Sequence, residues 1–264
     1  MTHSEIPLIG GQMTSVVHVG DTVHRGTGPW TPAVHCLLRH LEEAGFAGAP
    51  RLRDLDVEGR EILTFIDGEA GFFSPGRVVP TGLWSDRLLV EAAAMLRRFH
   101  DTTAGFLLPH DIDWHVDWPA PAPAEVICHN DFAPYNCIYQ HGHLVGIIDF
   151  DDASPGLRTW DLAYAAYTFV PLYADEGCLA VGMTGLPDRA RRLRLLCDSY
   201  GLIGRDKFVE AIESRVRAVS AMIQARADAG DVRYQRKIDE GHLDGYATNA
   251  WYLRQHRSEL QAAL

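Results

Sequence analysis

One passage constrains this chain more than any other. Between Val126 and Ala163 it carries His129, Asp131 and Asn136 in the spacing H-x-D-x-x-x-x-N, then an apolar run closing on Asp149, then Trp160-Asp161-Leu162. The runs Glu125–Cys128, Cys137–Tyr139 and Leu144–Asp149 are short, apolar and bounded by turn residues, which is the pattern of buried strands. His141-Gly142-His143 sits between the last two and reads as a hairpin tip, with Gly142 taking the unusual φ, rather than as a metal pair. Asp131 and Asn136 therefore share one loop, and Asp149 ends the hairpin strand beside it. Side chains on such a loop can be aimed into a single cleft.

The flanking regions differ in texture. Before residue 67 the chain reads as strands with one helix. Ser15–Val19 and Thr22–Arg25 form a hairpin about Gly20-Asp21, and Arg51–Asp56 and Glu61–Ile66 bracket a Glu58-Gly59 turn. Between the two pairs, Thr31 reads as an N-cap with Pro32 at the first helical position, and Val34, Leu37, Leu38 and Leu41 recur on one helical face before Gly45. From Asp67-Gly68 onward helices dominate. Asp86–His100 carries an apolar face of Leu88, Leu89, Ala92, Met95, Leu96 and Phe99, Trp114–Pro123 is a proline-rich connector, and the chain is mainly helical after Thr159. The expectation is an α+β protein with an N-terminal lobe over 1–66 and a C-terminal lobe over 67–264.

Charge narrows the partners. Lys and Arg number 24 against 35 Asp and Glu, a net charge of -11, which disfavours nucleic acid and anionic bilayers and suits a cationic small molecule. Only Lys207 and Lys237 are lysines; every other basic residue is arginine. Five cysteines without a C-x-x-C pair argue against a disulfide framework or zinc ribbon. Cys128 and Cys137 read as small buried hydrophobes. With no leader-like N-terminus and no long apolar span, a cytoplasmic protein is expected.

Phosphoryl transfer to a hydroxyl needs a carboxylate to orient the acceptor and take its proton, and oxygen ligands to hold Mg²⁺ on the phosphates. The passage supplies both. With its apolar strand and W-D-L at matching intervals, it resembles the aminoglycoside phosphotransferase and choline kinase family, small-molecule kinases with a two-lobed protein-kinase-like fold. The resemblance implies a β-rich N-terminal lobe and a larger, mainly helical C-terminal lobe. It implies ATP or GTP with Mg²⁺ as cofactors, and a small hydroxylated acceptor of aminoglycoside-like or amino-alcohol-like character. Asp131 would be the catalytic base, Asn136 and Asp149 the metal ligands, and His129 and Asp161 structural supports of the catalytic loop. Adenine would meet the backbone at Thr64, Phe65 and Ile66.

Two departures stand out. Asn130 occupies the position where the family usually has glycine. The lysine that normally pairs the nucleotide phosphates from the third strand is missing, and Arg25 is the best positional substitute, since a guanidinium can bind phosphate through two parallel N–H bonds. The lysine's helix glutamate has its nearest matching position at Val34 or His35; His35 reads as a solvated helix residue, so that partner is unassigned. Gly10–Ser15 reads as a phosphate-covering turn. Asp151 and Asp152 read either as solvated acids or as further contacts to metal or cationic substrate. Asp239, Glu240, Asp244, Tyr246, Trp251 and Tyr252 read either as an acidic-aromatic acceptor wall or as ordinary surface acids and core aromatics. The missing lysine also motivates a rival, a non-catalytic pseudokinase that binds nucleotide or a metabolite. A metal-dependent hydrolase would need a denser ligand set.

Overall fold

Alternating apolar residues in the first 70 positions pair into an antiparallel sheet in the computed structural model, which describes residues 4–8, 16–71, 79–116, 118 and 123–264. Strands β1 (Ile6–Pro7), β2 (Val16–Val19), β3 (Thr22–Arg25), β4 (Leu52–Leu55) and β5 (Glu61–Thr64) lie in the order β1-β2-β3-β5-β4. The register of β3 on β5 sets Thr22 opposite Thr64 and Arg25 opposite Glu61. Helix α1 (Thr31–Glu43) buries Ala33, Val34, Leu37, Leu38 and Leu41, the expected stripe. It begins one residue earlier than expected. Trp30 is the N-cap, and the Thr31 hydroxyl instead accepts the Gly28 N–H at 2.8 Å, closing the turn that leads into the helix. The expected phosphate-covering turn at Gly10–Ser15 lies outside the described residues, as does part of the Trp114–Pro123 connector.

After β6 (Glu69–Ala70) and α2 (Asp86–Thr103) come β7 (Val126–Cys128), β8 (Cys137–Gln140), β9 (His143–Ile147) and β10 (Ser154–Gly156). Strand β8 pairs with β6 and β9, and β7 pairs with β10. His141 and Gly142 make the expected hairpin tip, and both take positive φ, 51° and 74°, as a two-residue type I′ turn requires. The remaining chain is helical: α3 (Arg158–Phe169), α4 (Asp175–Ala180), α5 (Arg189–Tyr200), α6 (Phe208–Asp228), α7 (Val232–Asp239), α8 (His242–Gln255) and α9 (Arg257–Ala262).

These elements group into two compact units, each built from two stretches: Met1–Phe72 with Arg98–Arg158, and Phe73–Arg97 with Thr159–Leu264. The core of the first carries an aromatic cluster. Phe99 packs on Phe46 at 6.0 Å and on Phe150 at 5.8 Å, and the His129 ring sits 4.8 Å from Phe150. In the second unit the long helix α6 is held by α7, α8 and α9, and its Arg215 is buried between the rings of Trp160 and Tyr164. All five cysteines are free thiols, and burial pushes the Cys137 thiol well above its ordinary range. Among the described residues no helix is long and apolar enough to cross a membrane.

Candidate active site

The loop after β7 turns on His129. Its ring is fully buried; Nε2 donates to the Ile148 carbonyl at 3.1 Å, and Nδ1 accepts the Asp131 N–H at 3.3 Å. The carbonyl cannot donate, so the proton is on Nε2, and one imidazole joins the loop to the end of the β9 segment. Asn130 follows with φ 64°, in the left-handed region that asparagine tolerates better than most residues. Its amide donates to the Asp152 carbonyl and the Ser154 hydroxyl, each at 2.9 Å. A glycine would adopt the same φ without those two bonds.

Pro134–Asn136 form one 3₁₀ turn that brings two donors onto Asp131. The Asn136 amide donates to Oδ2 at 2.8 Å and the Tyr135 hydroxyl to Oδ1 at 2.6 Å, so both carboxylate oxygens are oriented by neutral groups. Gly71 lies against this turn; a Cβ there would stand 2.2 Å from the Pro134 carbonyl oxygen, a clash no side chain survives. Ile148 N–H donates to the Asn136 carbonyl at 2.9 Å, which sets Asp149 beside the turn, again at positive φ (66°). Asp131, Asn136 and Asp149 are thus brought to one place, as their spacing implied.

Arg25 belongs to the same unit and reaches Asp149. Its Nη1 lies 3.2 Å from Asp149 Oδ1, Nη2 donates to Asp151, and Nε donates to Glu61. Glu61 is completely buried, and its other oxygen accepts from His35 Nε2 at 2.8 Å. Burial alone would push the Glu61 carboxyl up, but the His35 hydrogen bond and the Arg25 charge hold it below its ordinary value. Burial likewise disfavours the Arg25 cation, yet Asp151, Asp149 and Glu61 together raise its pKa. Asp151 goes the other way: burial raises it, Asp149 and Glu61 add to that, and Arg25 only partly offsets them.

His35 is therefore not a solvated helix residue. It contacts the carboxylate that holds Arg25, and that carboxylate comes from β5 rather than from the helix. Neither Glu61 nor Tyr135 was singled out from the sequence. The signal for Glu61 was its place directly across the β3–β5 ladder from Arg25; for Tyr135 it was the i, i+4 spacing from Asp131 across a proline turn. Asp152 is paired with His115 at 3.1 Å. Thr64 and Phe65 give their N–H groups to the Arg51 and Asp21 carbonyls, both at 2.9 Å. Asp161 is fully buried in the first turn of α3, in the second unit.

The profile of the "Phosphotransferase enzyme family" matches residues 109–193, a span that includes the whole loop and Asp149. Over nearly the full chain, a trifolitoxin immunity protein of Rhizobium leguminosarum bv. trifolii is 40% identical, covering 99% of each protein. The chain belongs to the phosphotransferase enzyme family. Solved structures agree on the fold. A choline/ethanolamine kinase family protein from Mesorhizobium loti matches with TM-score 0.56 at 16% identity over 96% of this chain and 92% of its own. The GDP complex of aminoglycoside 2'-phosphotransferase-IIIa matches with TM-score 0.61 at 15% identity over 98% and 94%. An ethanolamine kinase of Plasmodium vivax matches with TM-score 0.62 at 11% identity over 100% and 84%. The chain has the protein-kinase-like fold of small-molecule kinases, with a β-sheet region and a larger helical part.

Proposed function

We propose that this phosphotransferase moves the γ-phosphoryl group of a purine nucleoside triphosphate, ATP or GTP, to a hydroxyl of a small molecule. One observation carries the reading: the Asn136 amide donates to Asp131 Oδ2 while its backbone carbonyl accepts the Ile148 N–H, which brings the residue before Asp149 onto the same turn. Asp131 is the base that accepts the hydroxyl proton. The acceptor must share or displace the Tyr135 hydroxyl on that carboxylate. Residues 1–66 serve as the nucleotide lobe and 67–264 as the catalytic and acceptor lobe.

The donor set suits Mg²⁺. Asn136 offers an amide oxygen and Asp149 a half-exposed carboxylate, both hard ligands. Among the described residues no three His, Cys, Asp or Glu side chains form a closed ligand group, as expected for an ion that relies on phosphate oxygens and water for its remaining ligands. Bound there, Mg²⁺ would neutralise charge on the phosphates. Arg25 holds the phosphates through its Nη groups, and the base meets the backbone at Thr64, Phe65 and Ile66, where the Thr64 and Phe65 N–H groups already donate to Arg51 and Asp21 and leave their carbonyls to the base. His129 supports the loop.

The immunity protein's name supports a toxic acceptor, since a phosphate adds about -1.5 to -2 charge at pH 7 and would block recognition by the toxin's target. The opposing observation is the Asp149–Arg25 contact, which favours a nucleotide binder that does not turn over. A screen of aminoglycosides, amino alcohols and toxins with Mg·ATP and Mg·GTP decides between them. Phosphorylated product that vanishes on chelation supports transfer; nucleotide binding without product from any acceptor supports the rival.

A further inference from the structure

We infer that Glu61 and His35 are positioning residues that aim Arg25 at the nucleotide, with the helix acting through a histidine and the carboxylate supplied by the neighbouring strand. The inference rests on the reading of Arg25 as the phosphate ligand. A guanidinium has two usable edges. The Nε edge of Arg25 is occupied by Glu61, a carboxylate with no solvent exposure, while the Nη groups face Asp149 and Asp151 on the more exposed side. The buried bond fixes the fork, and the Nη1 contact to the half-exposed Asp149 is the one an incoming phosphate can replace first.

Glu61 is directly opposite Arg25 in the β3–β5 ladder, so strand register alone brings them together. Register does not fix the carboxylate's rotation. His35 does so at 2.8 Å, and it is the α1 group bonded to that pair. Its helix is anchored by a fully apolar stripe, so the histidine is a rigid reference rather than a floating surface group. Movement of α1 would release Oε2, loosen the carboxylate and let the Arg25 fork rotate.

The test is calorimetric binding of Mg·ATP and Mg·GTP to the wild type, Arg25→Ala, His35→Leu, His35→Gln and the Arg25→Ala/His35→Leu double variant, with thermal unfolding to confirm that each is folded. Losing a hydrogen bond to a charged group predicts that His35→Leu weakens nucleotide binding about tenfold or more. His35→Gln, which can still donate, should recover most of it. In the Arg25→Ala background His35→Leu should have no further effect, because there is no fork left to aim. Equal losses in both backgrounds, or full affinity in folded His35→Leu, overturn the positioning role while leaving Arg25 as a ligand. Unchanged affinity in Arg25→Ala, or no nucleotide binding by the wild type, overturns the underlying reading and this inference with it.

Discussion

Two buried charge clusters in this molecule are mirror images. In the first unit one guanidinium, Arg25, faces three carboxylates, Glu61, Asp149 and Asp151. In the second, one carboxylate, Glu213 on α6, receives three guanidiniums: Arg217 at 2.6 Å, Arg254 at 3.1 Å and Arg257. They differ in where the surplus charge sits. The three arginines on Glu213 are 44–55% exposed, so water carries their excess, and the cluster ties α6 to α8 and α9. Around Arg25 the surplus is negative and shielded on two of its three acids: Glu61 is 0% and Asp151 18% exposed, while Asp149, at 47%, faces water. A negative surplus favours a further cation, which suits the proposed Mg²⁺ and opposes a phosphate arriving without its metal.

Removing the central residue of each cluster should separate them. Arg25→Ala leaves three acids without their cation and should cost about 3–5 kcal/mol, as breaking buried pairs does. It should also weaken Mg·nucleotide binding by about a hundredfold, the loss of a bidentate charged contact. Denaturant unfolding and calorimetry measure both, and a stability loss without a binding loss would make the two clusters equivalent. Glu213→Ala should cost less, about 1–3 kcal/mol, because its arginines can turn to water. Its nucleotide affinity should match the wild type, and a matching loss there would erase the distinction.

How much of this was legible beforehand follows from sequence distance. His129, Asp131, Asn136 and Asp149 fall within 21 residues on one strand–loop–hairpin, so spacing alone grouped them. The α1 stripe was equally plain, since one helical period encodes it. Glu61 is 36 residues from Arg25 and was hidden behind a question of strand register. A one-residue slip would have put it on the other face. His35 followed from Glu61, because a lone histidine on a helix gives no sign of what lies opposite. The aromatics of α8 divide: Tyr252 is buried with Arg189 over its ring, whereas Tyr246 and Trp251 line an open groove with Arg217 and Arg254, a difference that helical spacing alone does not encode.

Smaller effects sharpen the contrast. Tyr135→Phe removes a hydrogen bond that orients Asp131 and should lower kcat about fivefold with nucleotide KM unchanged, whereas Arg25 variants should move KM. Arg217→Ala deletes a half-exposed i,i+4 partner of Glu213 and should cost only about 0.2–1 kcal/mol by denaturant unfolding. Finally, raising salt to about 0.5 M should shrink the Glu213→Ala stability loss more than the Arg25→Ala loss, since screening acts on exposed partners. Equal shrinkage would contradict the burial difference.

The most direct measurement of the central claim is single-turnover phosphoryl transfer from Mg·ATP or Mg·GTP to the acceptor found by screening, comparing wild type with Asp131→Ala. If Asp131 is the base, transfer should fall by about 10²–10⁴-fold while nucleotide affinity stays within about twofold of wild type. Transfer at the wild-type rate by folded Asp131→Ala would contradict it.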